Sequence, residues 1–295
     1  MAKSLWFPLI LALAFLTSLS VYLAMAYGVS DQHQGVPAYF YPTTEGTAVW
    51  EYMCDTATTY EEGSFVILNQ DSGNPTGFDS SYDYVRGYCR DAGQNVLAYV
   101  PTNYTNTHID TVKARIDAYR TYYGTNAFDG YFLDEVTNDP DATGASDGYL
   151  AQEYYQELHS YINAFGSCCN ISVGNPGAPA STDWQIDTDA FDHVVVYENT
   201  DDSYLGASLP GWVAGELEED VWVIIHSTAT TDAMEDVYAK AKSDGIGVVY
   251  VTPDVPGNPY NNLADTDGST ADVPNDGTYG MDFWDAQLIQ ADAAP

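Results

Sequence analysis

Asp134 and Glu135 stand side by side at the end of GYFLDE, residues 130–135, and a third acid, Glu198, closes the run HVVVYEN. Carboxylates that face each other across a small gap suit cleavage of a glycosidic bond. One protonates the leaving oxygen, while the other attacks the anomeric carbon or activates water. Neighbours along a strand point to opposite sides, so at most one of Asp134 and Glu135 reaches a shared centre. The predicted working pair is therefore Asp134 with Glu198. Glu135 lies beside them, where a like charge raises a neighbour's pKa and suits it to proton transfer near neutrality. Helix capping or pairing with Arg is the plainer use of such acids, but a chain with 8 basic residues against 43 acidic ones has few partners to offer.

Around these acids, amides, hydroxyls and rings gather at the ends of apolar runs. Asn69, Thr102, Asn175 and His226 follow or close such runs and are candidates to bind a substrate, although a lone His is as often a structural hydrogen-bonding residue. Tyr39, Tyr41, Tyr99, Tyr104 and Tyr260 lie on or beside the same ends, where rings stack on sugar faces; Trp184 and Trp212 are placed similarly. Together they favour a carbohydrate over a small charged metabolite. No GxSxG, no phosphate-binding loop and no His pair at metal spacing occurs, so nucleophilic-serine, nucleotide and zinc chemistry drop out, and no metal or cofactor is expected.

Eight short apolar runs must position these residues: 37–42, 65–69, 95–102, 130–135, 171–177, 193–199, 221–228 and 245–252. They are continuous in apolar character, as in strands covered on both faces. Helical segments alternate with them. In 107–124, Ile109, Val112, Ile116 and Tyr119 recur at spacings of three and four before Gly124; 147–166 behaves alike; 230–245 opens on a Thr or Asp cap and stops at Gly245. Eight such rounds with right-handed crossovers predict an α/β fold, a single (β/α)8 barrel over residues 35–292. An open doubly wound sheet is the alternative, weakened by the lack of GxGxxG after the first strand. Residues 253–278 read as a long loop over the barrel mouth and 281–291 as a last helix.

Residues 1–26 carry an early Lys, a long apolar run and Ala24-Met25-Ala26, the pattern of a secretory signal cut after Ala26; a retained anchor is the alternative, and only it would bring membrane association. The expected location is secreted, extracellular or associated with a wall or matrix. A formal charge of −35 makes nucleic acid and anionic membranes poor partners. It fits either saline surroundings or a cationic polysaccharide. Cys54, Cys89, Cys168 and Cys169 in an exported chain point to disulfides. Cys54 with Cys89 is the favoured pairing, which leaves Cys168 and Cys169 as a strained vicinal bridge or as thiols. Asn103 and Asn170 open glycosylation sequons, relevant in a host that glycosylates.

The runs QGVPAYFYP, ILNQDSG, LAYVPTNY, DGYFLDE, VGNPG, VVVYEN and VVYVTPD, followed by NPYNNL, come in the order and spacing of spherulation-specific family 4 proteins, from Gly35 to Leu263. The chain resembles a spherulin-4-like glycoside hydrolase. That resemblance implies a (β/α)8 barrel, and metal-free endo-hydrolysis of α-1,4-linked N-acetylgalactosamine as in characterised fungal members. It implies Asp134, Glu135 and Glu198 as the catalytic cluster. Similarity to other barrel glycosidases makes Asp134 the nucleophile, Glu198 the general acid/base and Glu135 a tuning residue. Gln70 stands where members often carry Pro, and an acidic insertion spans 264–278; both bear on substrate identity. A non-catalytic carbohydrate-binding or structural wall, matrix or coat protein on the same barrel is the competing expectation, and retained carboxylates count against it.

Overall fold

The structure, a computed structural model, describes residues 32–60, 63–144, 148–263 and 282–293. The predicted leader at 1–26 and the acidic insertion at 264–278 lie outside the described residues. Among those described, no helix is long and apolar enough to cross a membrane.

The chain folds as a closed parallel barrel of eight strands: β1 His33–Ala38, β2 Phe65–Leu68, β3 Asn95–Pro101, β4 Gly130–Asp134, β5 Ile171–Asn175, β6 His193–Thr200, β7 Val221–His226 and β8 Val248–Val251. Helices follow the strands: α1 Thr44–Tyr60, α2 Ser80–Asp91, α3 Ile109–Tyr123, α4 Ala151–Asn163, α5 Trp184–Asp187, α6 Asp201–Leu205, α7 Thr231–Asp244 and α8 Asp282–Asp292. This is the (β/α)8 barrel that the alternation of runs predicts. Its helix ends follow local chemistry: the Thr230 hydroxyl accepts the Ala233 N–H at the start of α7, and Gly245 ends that helix in the left-handed conformation (φ 79°).

The first strand departs from expectation. It begins at His33, and Tyr39 to Pro42 lie past its end. Polar His33 and Gln34 disguise a strand that pairs with β8, His33 to Val248 and Gln34 to Val249. Gln34 is buried; the Tyr238 hydroxyl donates to its Oε1 at 3.0 Å, while its Nε2 has no hydrogen-bond partner among the described residues.

Rings from non-adjacent strands meet inside the barrel and mark its inward face: Phe65 to Trp222 at 4.6 Å and Phe132 to Trp222 at 6.4 Å between centroids. A Cβ on Gly35 would stand 2.9 Å from the Trp222 ring, so only glycine leaves room for this plug. From Phe132, alternation brings Asp134 to the same inward face. In β6 the ladder slips: Val195 pairs with Trp222, but Tyr197 pairs with Val223 and Glu198 with Ile224. Val196 is therefore an extra residue, a β-bulge. Strict alternation from inward Val195 would send Glu198 outward. The bulge turns Tyr197 out against Tyr204, with ring centroids 5.2 Å apart, and Glu198 in.

Disulfides join Cys54 to Cys89, tying α1 to α2 with Cα atoms 5.2 Å apart, and Cys168 to its neighbour Cys169.

Candidate active site

Asp134 and Asn175 end adjacent strands directly opposite each other in the ladder, and the bulge in β6 swings Glu198 toward both. One amide nitrogen joins them. Asn175 Nδ2 donates to Asp134 Oδ1 at 2.9 Å and to Glu198 Oε2 at 2.7 Å. The two bonds cap the separation of those oxygens at about 5.6 Å, close to the spacing of retaining glycosidases and short of the gap an interposed water needs. Each acid also carries a phenol: Tyr99 donates to Asp134 Oδ2 at 2.7 Å, and Tyr260 donates to Glu198 Oε1 at 2.5 Å. Tyr39 lies edge-on to both phenols, 5.3 Å from Tyr99 and 5.6 Å from Tyr260, and its N–H donates to the Tyr260 carbonyl at 3.0 Å. The loop after β8 is thereby fastened to the end of β1.

Burial raises Asp134 to about 6, the Glu198 and Glu135 charges push the same way, and the Tyr99 hydrogen bond opposes them. Burial and the same carboxylates drive Tyr99, Tyr260 and Tyr39 far above the ordinary phenol range, so they stay protonated donors. Burial lowers His226 against the pull of Glu198 and Asp201, which favours a neutral imidazole; its Nδ1 lies 3.0 Å from the Ser227 hydroxyl.

Glu135 takes a left-handed backbone, φ 56°, unusual for a residue other than glycine. Its carbonyl accepts from the Tyr104 N–H at 2.6 Å and from the Thr102 hydroxyl at 2.9 Å, and that hydroxyl also donates to the Asp134 carbonyl at 2.9 Å. Thr102 is fully buried with its hydroxyl committed to this backbone, so the structure does not bring it to the cleft as a substrate contact; it braces Asp134 and Glu135 from behind.

Asn69 follows Leu68, which sits between Ala38 and Ala98 in the ladder, so it shares a layer with Tyr39 and Tyr99; its Oδ1 is buried without a hydrogen-bond partner. Tyr41 and Tyr104 are about half exposed, and Tyr41 donates to Asp79 Oδ2 at 3.0 Å. Trp184 is buried on α5, donating to the Asn138 carbonyl, and Trp212 donates to the Ala180 carbonyl. Of the two sequons, Asn103 is exposed in a left-handed turn beside Tyr104. Asn170 precedes β5 at the opposite end and donates to Asn163 Oδ1. Sequence reasoning missed Asp201, whose charge reaches His226, and Gly177, whose N–H holds Asn175 Oδ1 at 3.0 Å. The Pro-Gly pair after Asn175 was a turn signal that could have found the latter.

Among the described residues one further acidic group, Asp183, Asp187 and Glu216, brings carboxylate oxygens within 4.8 Å of one another. It shares no residue with the Asp134 and Glu198 centre.

The sequence pattern of spherulation-specific family 4 matches residues 35–270. Spherulin-4 of Physarum polycephalum is 27% identical over 238 residues, 77% of this chain; the match spans 65% of that relative's length, just under two thirds. Among solved structures, Sph3 of Aspergillus clavatus in complex with GalNAc superposes with a TM-score of 0.66 at 18% identity, covering 90% of this chain and 100% of that one. The endo-1,4-beta-mannanase of Rhizomucor miehei gives a TM-score of 0.51 at 12% identity, covering 89% and 94%. At these identities the likeness is one of fold.

Proposed function

The chain belongs to spherulation-specific family 4, and from that premise we propose that it is a secreted glycoside hydrolase. Its substrate is a polysaccharide containing galactosamine or N-acetylgalactosamine, cut internally at α-1,4 linkages. The observation that carries this reading is the carboxylate pair held on one amide, at a spacing suited to double displacement. The Asp134 carboxylate attacks the anomeric carbon while Glu198 gives its proton to the departing oxygen, leaving a glycosyl ester on Asp134. Glu198 then takes a proton from water, whose oxygen displaces Asp134 with net retention. Donors from Tyr99 and Asn175 favour the anion that a nucleophile needs. Glu135 adds negative charge beside them and so favours the oxocarbenium-like transition state.

The distribution of charge supports an amino-sugar polymer over an anionic one. Apart from Lys3, every Lys and Arg lies on α2, α3 or α7. Those cations are engaged there: Arg86 with Asp83, Arg90 with Asp129, Lys113 with Glu157, Lys240 with Asp244, and Arg115, Arg120 and Lys242 with backbone carbonyls. None contacts the carboxylate pair, so uronate or sulfate groups would meet acids without a countercharge. The GalNAc complex of the Sph3 relative supports the same sugar class. The bridge between Cys54 and Cys89 fits an oxidising, extracellular location.

A product profile on galactosamine and N-acetylgalactosamine polymers tests the reading. Glu198→Gln should lower turnover by on the order of a thousandfold or more. Wild-type turnover should climb as pH rises through about 6, because Asp134 must be ionised to attack. A fall above that pH would instead make Asp134 the proton donor. Binding without turnover would leave a sugar-binding wall or matrix protein.

A further inference from the structure

We infer that Asn175 is a positioning residue whose one amide nitrogen sets the distance between the two working carboxylates and which keeps no N–H in reserve for a sugar. The inference rests on the hydrolase reading above and deepens it. A primary amide offers two N–H donors and one carbonyl oxygen. Both donors of Asn175 are spent, one on Asp134 and one on Glu198. Its Oδ1 accepts from the Gly177 N–H at 3.0 Å, which fixes the orientation of the group, since the flipped amide would set an oxygen against two carboxylates.

Gly177 closes the arrangement. Its left-handed backbone, φ 71°, turns its N–H back toward Asn175, and its carbonyl accepts from the Glu198 N–H at 3.0 Å. The turn after β5 is thus fastened to the side chain of Glu198 through Asn175 and to its backbone through Gly177. Two N–H bonds leaving one sp² nitrogen diverge by about 120°, which places the two acceptors roughly 5 Å apart, the retaining distance. The N–H given to Asp134 favours its anion; without it, a carboxyl facing a like charge at that range holds its proton more tightly. Asn175 therefore controls spacing and ionisation, while rings and other amides of the mouth are left to touch sugar.

The test compares the full-length enzyme with Asn175→Ala and Asn175→Asp. Asn175→Ala should lower kcat by on the order of a hundredfold, leave KM within about threefold, and move the acid limb of the pH profile upward by about one unit. A KM raised tenfold with kcat and pH profile unchanged would make Asn175 a substrate ligand and overturn the inference. Carbon-13 titration of the Asp134 carboxyl, which needs no turnover, should show a higher midpoint in the variant than in wild type; an unmoved midpoint also overturns it. If wild type hydrolyses no amino-sugar polymer, the hydrolase reading fails, while this titration still decides the bridge. Asn175→Asp keeps the acceptor for Gly177 and sets a third carboxylate against the pair. It should show the same losses with an unchanged fold by circular dichroism, even where Asn175→Ala fails to fold.

Discussion

The two ends of the barrel interior use opposite chemistry on the same strands. Below, Phe65, Phe132, His193 and Trp222 meet ring to ring in an aromatic plug. Above, two residues further along β4, and past the bulge in β6, Asp134 and Glu198 share a small volume with one amide and two phenols. The plug is fixed by volume and fails when atoms are removed. The mouth is fixed by donor geometry and carries a buried charge that works against folding. A barrel of this kind places stabilising residues at one end of a strand and destabilising, reactive ones at the other.

The contrast breaks most sharply at Glu198. Glu198→Gln should lower turnover by on the order of a thousandfold while far-ultraviolet circular dichroism keeps the barrel signal. Deleting Val196 removes the bulge yet leaves Tyr197 opposite Val223 and Glu198 opposite Ile224, so the acid keeps its inward face and turnover should stay within about tenfold of wild type. A thousandfold loss in the deletion variant would mean that the bend at the bulge, beyond the face it selects, aims the acid.

Next in size is the plug. Trp222→Ala opens a void opposite Gly35 and should cost about 3–5 kcal/mol, read as a lower melting temperature and denaturant midpoint. The pH dependence of turnover should stay where it was, because Phe65, Phe132 and Trp222 carry no ionisable group near the acids. A shifted pH limb in this variant would show the two ends to be coupled.

The same contrast explains what could be read from the chain alone. The strands were legible because runs such as NVLAYVP and VWVIIH are buried on both faces and have no polar alternation to confuse them. Asp134, Asn175 and Tyr260 could be named because each falls at or after the end of such a strand, and Tyr99 and Glu198 because they lie close to one. The start of β1 was hidden, since Gln34 reads as polar and the Tyr238 hydroxyl that meets its Oε1 lies far off in the sequence. The bulge was hidden too: HVVVYEN carries three valines in a row, and nothing in that pattern says which is the extra one. Thr102 looked like a ligand because its position is right; that its hydroxyl is consumed by the Asp134 and Glu135 carbonyls depends on a left-handed turn that sequence does not announce.

The smallest expected effect concerns how the mouth's charge weighs on stability. Asp134 ionises at about 6 in the fold, against an ordinary value of 3.8. The native state therefore holds this proton where the unfolded chain has lost it. Its contribution is fully present below about pH 4 and disappears as pH climbs through about 6, a change on the order of 2–3 kcal/mol. Other acids raised by burial, such as Asp254 and Glu216, tilt stability in the same direction, so the informative quantity is a difference between two proteins. Asp134→Asn cannot ionise at this position. Denaturant unfolding from pH 4 to pH 7 should lose less stability in Asp134→Asn than in wild type, by that amount. Parallel curves would mean that the hydrogen bonds from Tyr99 and Asn175 already offset the cost of burying the anion, and that the mouth, like the plug, stabilises the barrel it sits on.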